Sequence, residues 1–324
     1  MGVIAFGVLD RGTNLLQVRG STACNLKCLF CSTAANDPNV HPTEFVVEVN
    51  YLIKWVKEVV KVKGAGVEVN LDSVGEPTAY PQLVELVKEL KKIPEISKIS
   101  MQTNGTLLNE QKINELEEAG LDHINLSIDT LNVQKGAYLR GCETYNVQKL
   151  VDIAKLIRKS KIELLLAPVW LPDVNDEDIK NLIKLAKELD CKIGIQKYEI
   201  YKYGRKMKEA EKINWWKFYK QLEIWEKEFE IKLRATAKDF NVEKRERVPE
   251  VFEDGERVQV EIKAPGWQKG QMIGVAKNRC ISINDCSADI GDKVNIKILE
   301  TKNNIYLAEM VEKKLVLKPL ETHL

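Results

Sequence analysis

Residues 67–102, VEVNLDSVGEPTAYPQLVELVKELKKIPEISKISMQ, carry the reading that decides the fold. Val67-Glu68-Val69-Asn70-Leu71 alternates with the period of a half-buried strand, Pro81 to Leu90 has helical spacing, and Ile96 to Gln102 is β-rich again. A strand, a helix and a second strand in so short a span form a crossover unit that pairs the strands in parallel with right-handed connection. The same alternation extends both ways. Leu15 to Arg19 reads as a strand before a helix from Glu44 to Val62, whose apolar residues Val47, Tyr51, Ile53, Val56, Val59 and Val60 fall at helical spacing. Helix Asn109–Ala119, strand His123–Ser127, helix Asn146–Ile157, strand Ile162–Val169, helix Asp176–Leu189, strand Ile193–Tyr198 and helix Trp215–Phe229 follow. Six strand–helix units suit a partial (βα)6 barrel or an open doubly wound sheet, and periodicity does not separate the two.

The pattern changes after about residue 245. Short strands are expected at Val258–Ile262, Gly270–Ala276, Cys280–Ile283, Val294–Ile298 and Asn304–Met310, with turns such as Asp254-Gly255, Pro265-Gly266 and Ile290-Gly291-Asp292 between them. This reads as a small antiparallel β-barrel of OB-like size. Lys244 to Pro249 is the expected linker, dividing the chain into residues 1–245 and 246–324. The 324 residues are 44% hydrophobic and nearly neutral at +1, which excludes a globally basic nucleic-acid coat but not a local patch. No run of 18 uncharged apolar residues occurs and the start lacks a secretory pattern, so a cytoplasmic protein without membrane attachment is expected.

Three of the seven cysteines, Cys24, Cys28 and Cys31, stand as C-x3-C-x2-C in the loop after the first strand. Soft thiolates at this spacing converge on one metal or cluster, and three ligands on a four-iron cube leave one iron open to a donor from elsewhere. A closed zinc site with His41 as fourth ligand is the alternative. Cys142, Cys191, Cys280 and Cys286 are scattered and read as buried residues, with a Cys280–Cys286 disulfide or a reactive thiol as alternatives.

The triplet, with the aromatic Phe30 before its last cysteine, resembles the radical S-adenosylmethionine (SAM) superfamily. Other segments agree in order. Val74-Gly75-Glu76-Pro77 resembles the family's Gly-Gly-Glu-Pro motif, with Val in place of the first Gly; Thr103-Asn104-Gly105 and Leu126-Ser127-Ile128-Asp129 resemble segments that line its SAM pocket. The resemblance implies a [4Fe–4S] cluster on Cys24, Cys28 and Cys31. It implies SAM held by Phe30, Gly75, Glu76, Thr103, Asn104, Ser127 and Asp129, with Gln196 near adenine, and a low-potential electron donor such as a ferredoxin. Taken as chemistry alone, Glu76 offers a carboxylate to an ammonium group, Gly75 lets a ligand approach the backbone, and Asn104, Ser127 and Asp129 suit ribose hydroxyls. The second domain is similar to TRAM, a small barrel that binds RNA in tRNA-modifying enzymes. The implied partner is therefore RNA, with Lys263, Trp267, Lys269, Lys277 and Arg279 facing it. Residues 192–220 add a basic stretch, nine Lys/Arg against three Glu, that includes Lys202, Arg205 and Lys206 and is interleaved with aromatics. A radical SAM enzyme acting on RNA, with tRNA the first candidate, is the expectation; the rivals are a small-molecule or protein substrate and an RNA-binding module with a structural metal.

Overall fold

The structure, a computed structural model, describes residues 1–311. The end of the expected second domain, residues 312–324, lies outside the described residues. Seven strands form the main sheet: β1 (Gly7–Asp10), β2 (Leu15–Arg19), β3 (Val67–Leu71), β4 (Ile96–Thr103), β5 (His123–Leu126), β6 (Glu163–Leu166) and β8 (Lys192–Ile193). A short pair, β7 (Val169–Trp170) and β9 (Gln196–Lys197), continues beyond β6 and β8. The spatial order follows the chain order, and every neighbour from β2 onward is parallel. A doubly wound sheet reverses its strand order at a switch point. This one does not, so the helices collect on one face and the sheet is a partial barrel.

Those helices are α1 (Val49–Lys63), α2 (Leu83–Lys91), α3 (Glu110–Ala119), α4 (Val133–Arg140), α5 (Val147–Lys159), α6 (Asp176–Glu188) and α7 (Trp215–Phe229). Asparagine starts four of them: Asn109, Asn132, Asn146 and Asn214 each accept the backbone N–H three residues on, satisfying a donor the helix cannot. The period of two sorts the sheet. Leu16, Val18, Val69, Leu71, Ile99, Met101, Ile124, Leu126, Leu164 and Leu166 point to the helices and form the core. The opposite, inward face carries Glu68, Asn70, Lys98, Gln102, His123, Asn125 and Glu163 around a cavity of about 610 Å³. A polar barrel interior adds little to hydrophobic stability.

The structure departs from the sequence expectations in five places. Strand β1 was not anticipated. Helix α1 starts at Val49 rather than Glu44, because residues 45–47 are extended and bonded to residues 20–22. The strand expected over 162–169 breaks before Pro168, which has no N–H to give; the one over 193–198 breaks opposite it. Helix α4 was read as loop.

The second unit is a closed barrel of β10 (Arg257–Pro265), β11 (Met272–Ala276), β12 (Arg279–Asn284), β13 (Lys293–Glu300) and β14 (Tyr306–Met310), in the order β10-β11-β12-β14-β13. Phe252, Val260, Ile262, Ile281, Ile283, Ile296, Ile298 and Tyr306 fill it. The segment entering it is strapped to the first unit. Lys63 and Asp10 form a buried ion pair at 2.6 Å; Lys63 also donates to Glu246 O, and Asp10 accepts the Val248 N–H at 3.0 Å. Above this strap, Val3, Ala5, Val74, Trp267 and Ile273 make an apolar seam between the two units.

Candidate active site

The loop after β2 carries the three cysteines. Gly75 and Glu76 follow β3, Thr103 and Asn104 close β4, Ser127 and Asp129 follow β5, and Gln196 lies in β9. These are the C-terminal ends of the strands, where parallel sheets gather their chemistry. With Phe30, all of them line one pocket of about 340 Å³.

Glu76 is held most firmly. Its Oε1 accepts from Thr78 N at 2.9 Å, from the Thr78 hydroxyl, and from Thr103 Oγ1 at 2.6 Å, while Oε2 accepts Asn104 N at 2.7 Å. A carboxylate has about four acceptor sites, two on each oxygen. Oε1 is saturated and Oε2 keeps one lone pair. Gly75 serves a different neighbour from the one expected: a Cβ there would sit 2.2 Å from Ala23 O and 2.5 Å from Thr22 O. The glycine lets the cysteine loop's backbone pass, and Glu76 N donates to Ala23 O at 2.7 Å to fix it. Asn104 Nδ2 donates to Asn25 Oδ1 at 3.1 Å, pinning the same loop from the other side. Ser127 Oγ accepts from Gln102 at 2.7 Å.

Asp129 departs from the ribose-binding expectation. Its carboxylate is fully buried, pairs with Arg140 and accepts the Val169 N–H at 2.8 Å. Burial pushes its pKa up and the Arg140 charge pulls it back. Arg140, at the end of α4, was missed by sequence reasoning. It donates to Ser127 O at 2.8 Å, lies 3.6 Å from Cys28 Sγ, and sits over the Phe30 and Tyr145 rings. Only the fold of α4 brings it there.

Burial, followed by the charges of Cys28, Glu76 and Cys31, pushes the Cys24 thiol up to about 12, and Cys28 is also raised by burial. Thiols that feel one another's charge around one open pocket fit a cluster that takes three thiolates and offsets their repulsion. A closed zinc site lacks the fourth ligand expected of it. His41 is turned away, donating from Nε2 to Thr33 O at 2.6 Å and stacking on Trp267 at 3.6 Å.

The residues expected to face RNA divide. Lys202, Lys206 and Lys269 are exposed. Trp267 is buried in the seam between the units, so its ring is not available to a base. Arg205 braces the cysteine loop instead, donating to Ala35 O at 2.7 Å and, from its backbone, to Cys31 O at 2.8 Å. Lys263 pairs with Glu261, Lys277 with Glu256 at 2.7 Å, and Arg279 lies over the Trp55 ring.

A family model described as the radical SAM superfamily matches residues 18–186, and one for the TRAM domain matches residues 251–311. The chain belongs to the radical SAM superfamily. That superfamily's enzymes use SAM and a [4Fe–4S] cluster. An uncharacterized protein of Methanocaldococcus jannaschii is 40% identical over 339 residues, covering 96% of this chain and 78% of its own. A GTP 3',8-cyclase of Peptoclostridium acidaminophilum is 30% identical over 207 residues, 62% of this radical SAM chain and 60% of the cyclase. SAM-bound SuiB of Streptococcus suis shares the fold at a TM-score of 0.55 and 18% identity, over 70% of this chain and 48% of SuiB. The chain thus spans little more than half of these cyclases and about half of SuiB. No helix among the described residues is long and apolar enough to cross a membrane.

Proposed function

We propose that this chain cleaves SAM reductively at a [4Fe–4S] cluster held by Cys24, Cys28 and Cys31 and modifies an RNA substrate, with tRNA the first candidate. When bound, the cluster and SAM together supply a carbon-centred radical able to take hydrogen from an unreactive C–H bond. The chain's own residues bind and orient. Glu76 takes the SAM ammonium on its free Oε2 lone pair, Ser127 and Gln196 line the pocket for the nucleoside part, and Asn25, Asn104 and Gly75 hold the cysteine loop in register. Asp129 and Arg140 position the loop and strand end behind it. The observation that carries this reading is the convergence of three thiols and one pre-fixed carboxylate on a single pocket.

RNA as the substrate class rests on the TRAM domain docked beside that pocket: Lys269 N donates to Val40 O at 3.0 Å, in the loop that follows Cys31. The GTP 3',8-cyclase relatives favour a second reading, a free nucleotide as substrate. Anaerobic reconstitution, reduction with dithionite in the presence of SAM, and assay for 5'-deoxyadenosine with and without bulk tRNA tests both. Formation raised by tRNA and absent in Cys28→Ala supports the RNA reading. Formation raised by GTP alone supports the nucleotide reading. No 5'-deoxyadenosine from a verified four-iron cluster overturns the SAM chemistry. In the cell, a ferredoxin-type donor in the cytoplasm would replace dithionite.

A further inference from the structure

Helix α7 and the loop before it carry an unusual surface. Trp215, Trp216 and Tyr219 are 52%, 67% and 44% exposed, and Tyr201 and Tyr203 stand out of the preceding loop. Apolar rings grouped on a surface mark an interaction site. Two have exposed lysines beside them: Lys220 lies 4.8 Å from the Trp216 ring centre and Lys202 5.0 Å from Tyr203, while Lys197, 5.1 Å from Trp215, has its side chain buried and paired with Glu199 at 3.0 Å. Residues 192–220 hold a local charge of +6 in a chain whose total is +1. Trp215 and Tyr219 also form part of the wall of the barrel cavity, which shares Gln102, Gln196 and Lys197 with the cysteine pocket. Inside that cavity the buried Asn70 Oδ1 has no hydrogen-bond partner.

We propose that this face of α7 is a stacking platform for single-stranded RNA at the side opening of the partial barrel, leading a base toward the polar interior. The proposal rests on the RNA reading above and adds a second contact surface, apart from the TRAM barrel. Three features select this partner. Stacked rings accept any base with an unpaired face, which a duplex does not offer. Lysines beside the rings place positive charge where phosphates run. A protein partner would be met by a surface poor in lysine, since interface cores are depleted of it.

The test is fluorescence anisotropy of the full chain, with its cluster reconstituted, against a labelled single-stranded RNA oligonucleotide and its duplex. Trp216→Ala should weaken single-strand binding by roughly 5- to 100-fold, the range for loss of one stacked base, and leave the salt dependence unchanged. Trp216→Phe should recover most of the affinity. Lys202→Ala and Lys220→Ala should each lower the slope of log K against log salt by about 0.7. These side chains are exposed, so folding is not at issue. If Trp215→Ala/Trp216→Ala binds as wild type while Lys269→Ala does not, RNA is held by the barrel alone and the platform falls with the RNA reading intact. Equal affinity for duplex and single strand also overturns it. If wild type binds no RNA at all, the platform and the RNA reading fall together.

Discussion

Removing Arg140 should unbalance the site more than any single cysteine change, and the cost follows from its surroundings. In Arg140→Met the Asp129 carboxylate stays buried beside Val169 with its counter-charge gone. Breaking a buried pair in this way costs about 3–5 kcal/mol, because the remaining ion is neither solvated nor paired. Asp129→Asn/Arg140→Met leaves an amide that still accepts the Val169 N–H and a methionine among Phe30, Tyr145 and Leu139. Most of the loss should return, giving a coupling of about 2 kcal/mol or more in the double-mutant cycle. The measurement is anaerobic urea unfolding of metal-free protein, followed by the fluorescence of the buried Trp170 and Trp225, comparing midpoints at constant slope. A cost below about 1 kcal/mol for Arg140→Met, or additive single changes, would refute the claim that this pair holds the strand end and cysteine loop together.

Other perturbations give separate readouts. Glu76→Gln replaces an acceptor with an amide N–H facing the donors of Thr103 or Asn104, so SAM binding measured by equilibrium dialysis should weaken at least tenfold, with cluster iron content retained. Trp267→Ala empties the seam between the units and should cost about 3–5 kcal/mol, seen as cleavage near residues 244–250 at protease levels that spare wild type. Lys63→Met strands the buried Asp10 and should destabilise by a similar 3–5 kcal/mol, while Asp10→Asn/Lys63→Met should recover much of it in the same urea assay. Burial holds the His41 imidazole below its ordinary value. A depressed pKa means that its contribution is complete above about pH 6.5 and is lost as pH falls through the folded value. Midpoints between pH 8 and 5.5 should therefore drop more in wild type than in His41→Gln; parallel curves would show that His41 does not couple the seam to pH.

The strand–helix alternation and the C-x3-C-x2-C triplet were legible because both are local: one is a period, the other a spacing. The eleven residues expected at the cluster and SAM site line one pocket because each lies at or just after the end of a strand that the alternation already marked. Arg140 was invisible because α4 has Gly136 within it and no clear apolar stripe, so the turn that aims it at Cys28 left no sequence signal. Trp267 was misplaced for the opposite reason. An aromatic in a small barrel looks like a base-stacking residue until the seam with Val3 and Val74 is seen. That seam also accounts for Val74 where the family motif has glycine: the side chain is 4% exposed and fills the contact with the second barrel. The choice of a partial barrel over an open sheet, and the addition of β1, depended on tertiary pairing that no local pattern encodes.

The strap between the two units has a consequence for how the chain reaches its native state. Strand β1 lies at the edge of the sheet, and the groups that secure it come from far along the chain: Val248 N bonds Asp10 across 238 residues, and Asn14 bonds Glu243 across 229. Contacts of such separation form late, because the entropy of closing the loop must be met before they contribute. During synthesis, β1 and its hairpin with β2 leave the ribosome long before their partners exist. The inner sheet from β2 to β6 can assemble meanwhile on sequential neighbours. Strand β1 is thus made before the strands it joins but locked after them, by the segment that also delivers the second barrel to the edge of the cysteine loop.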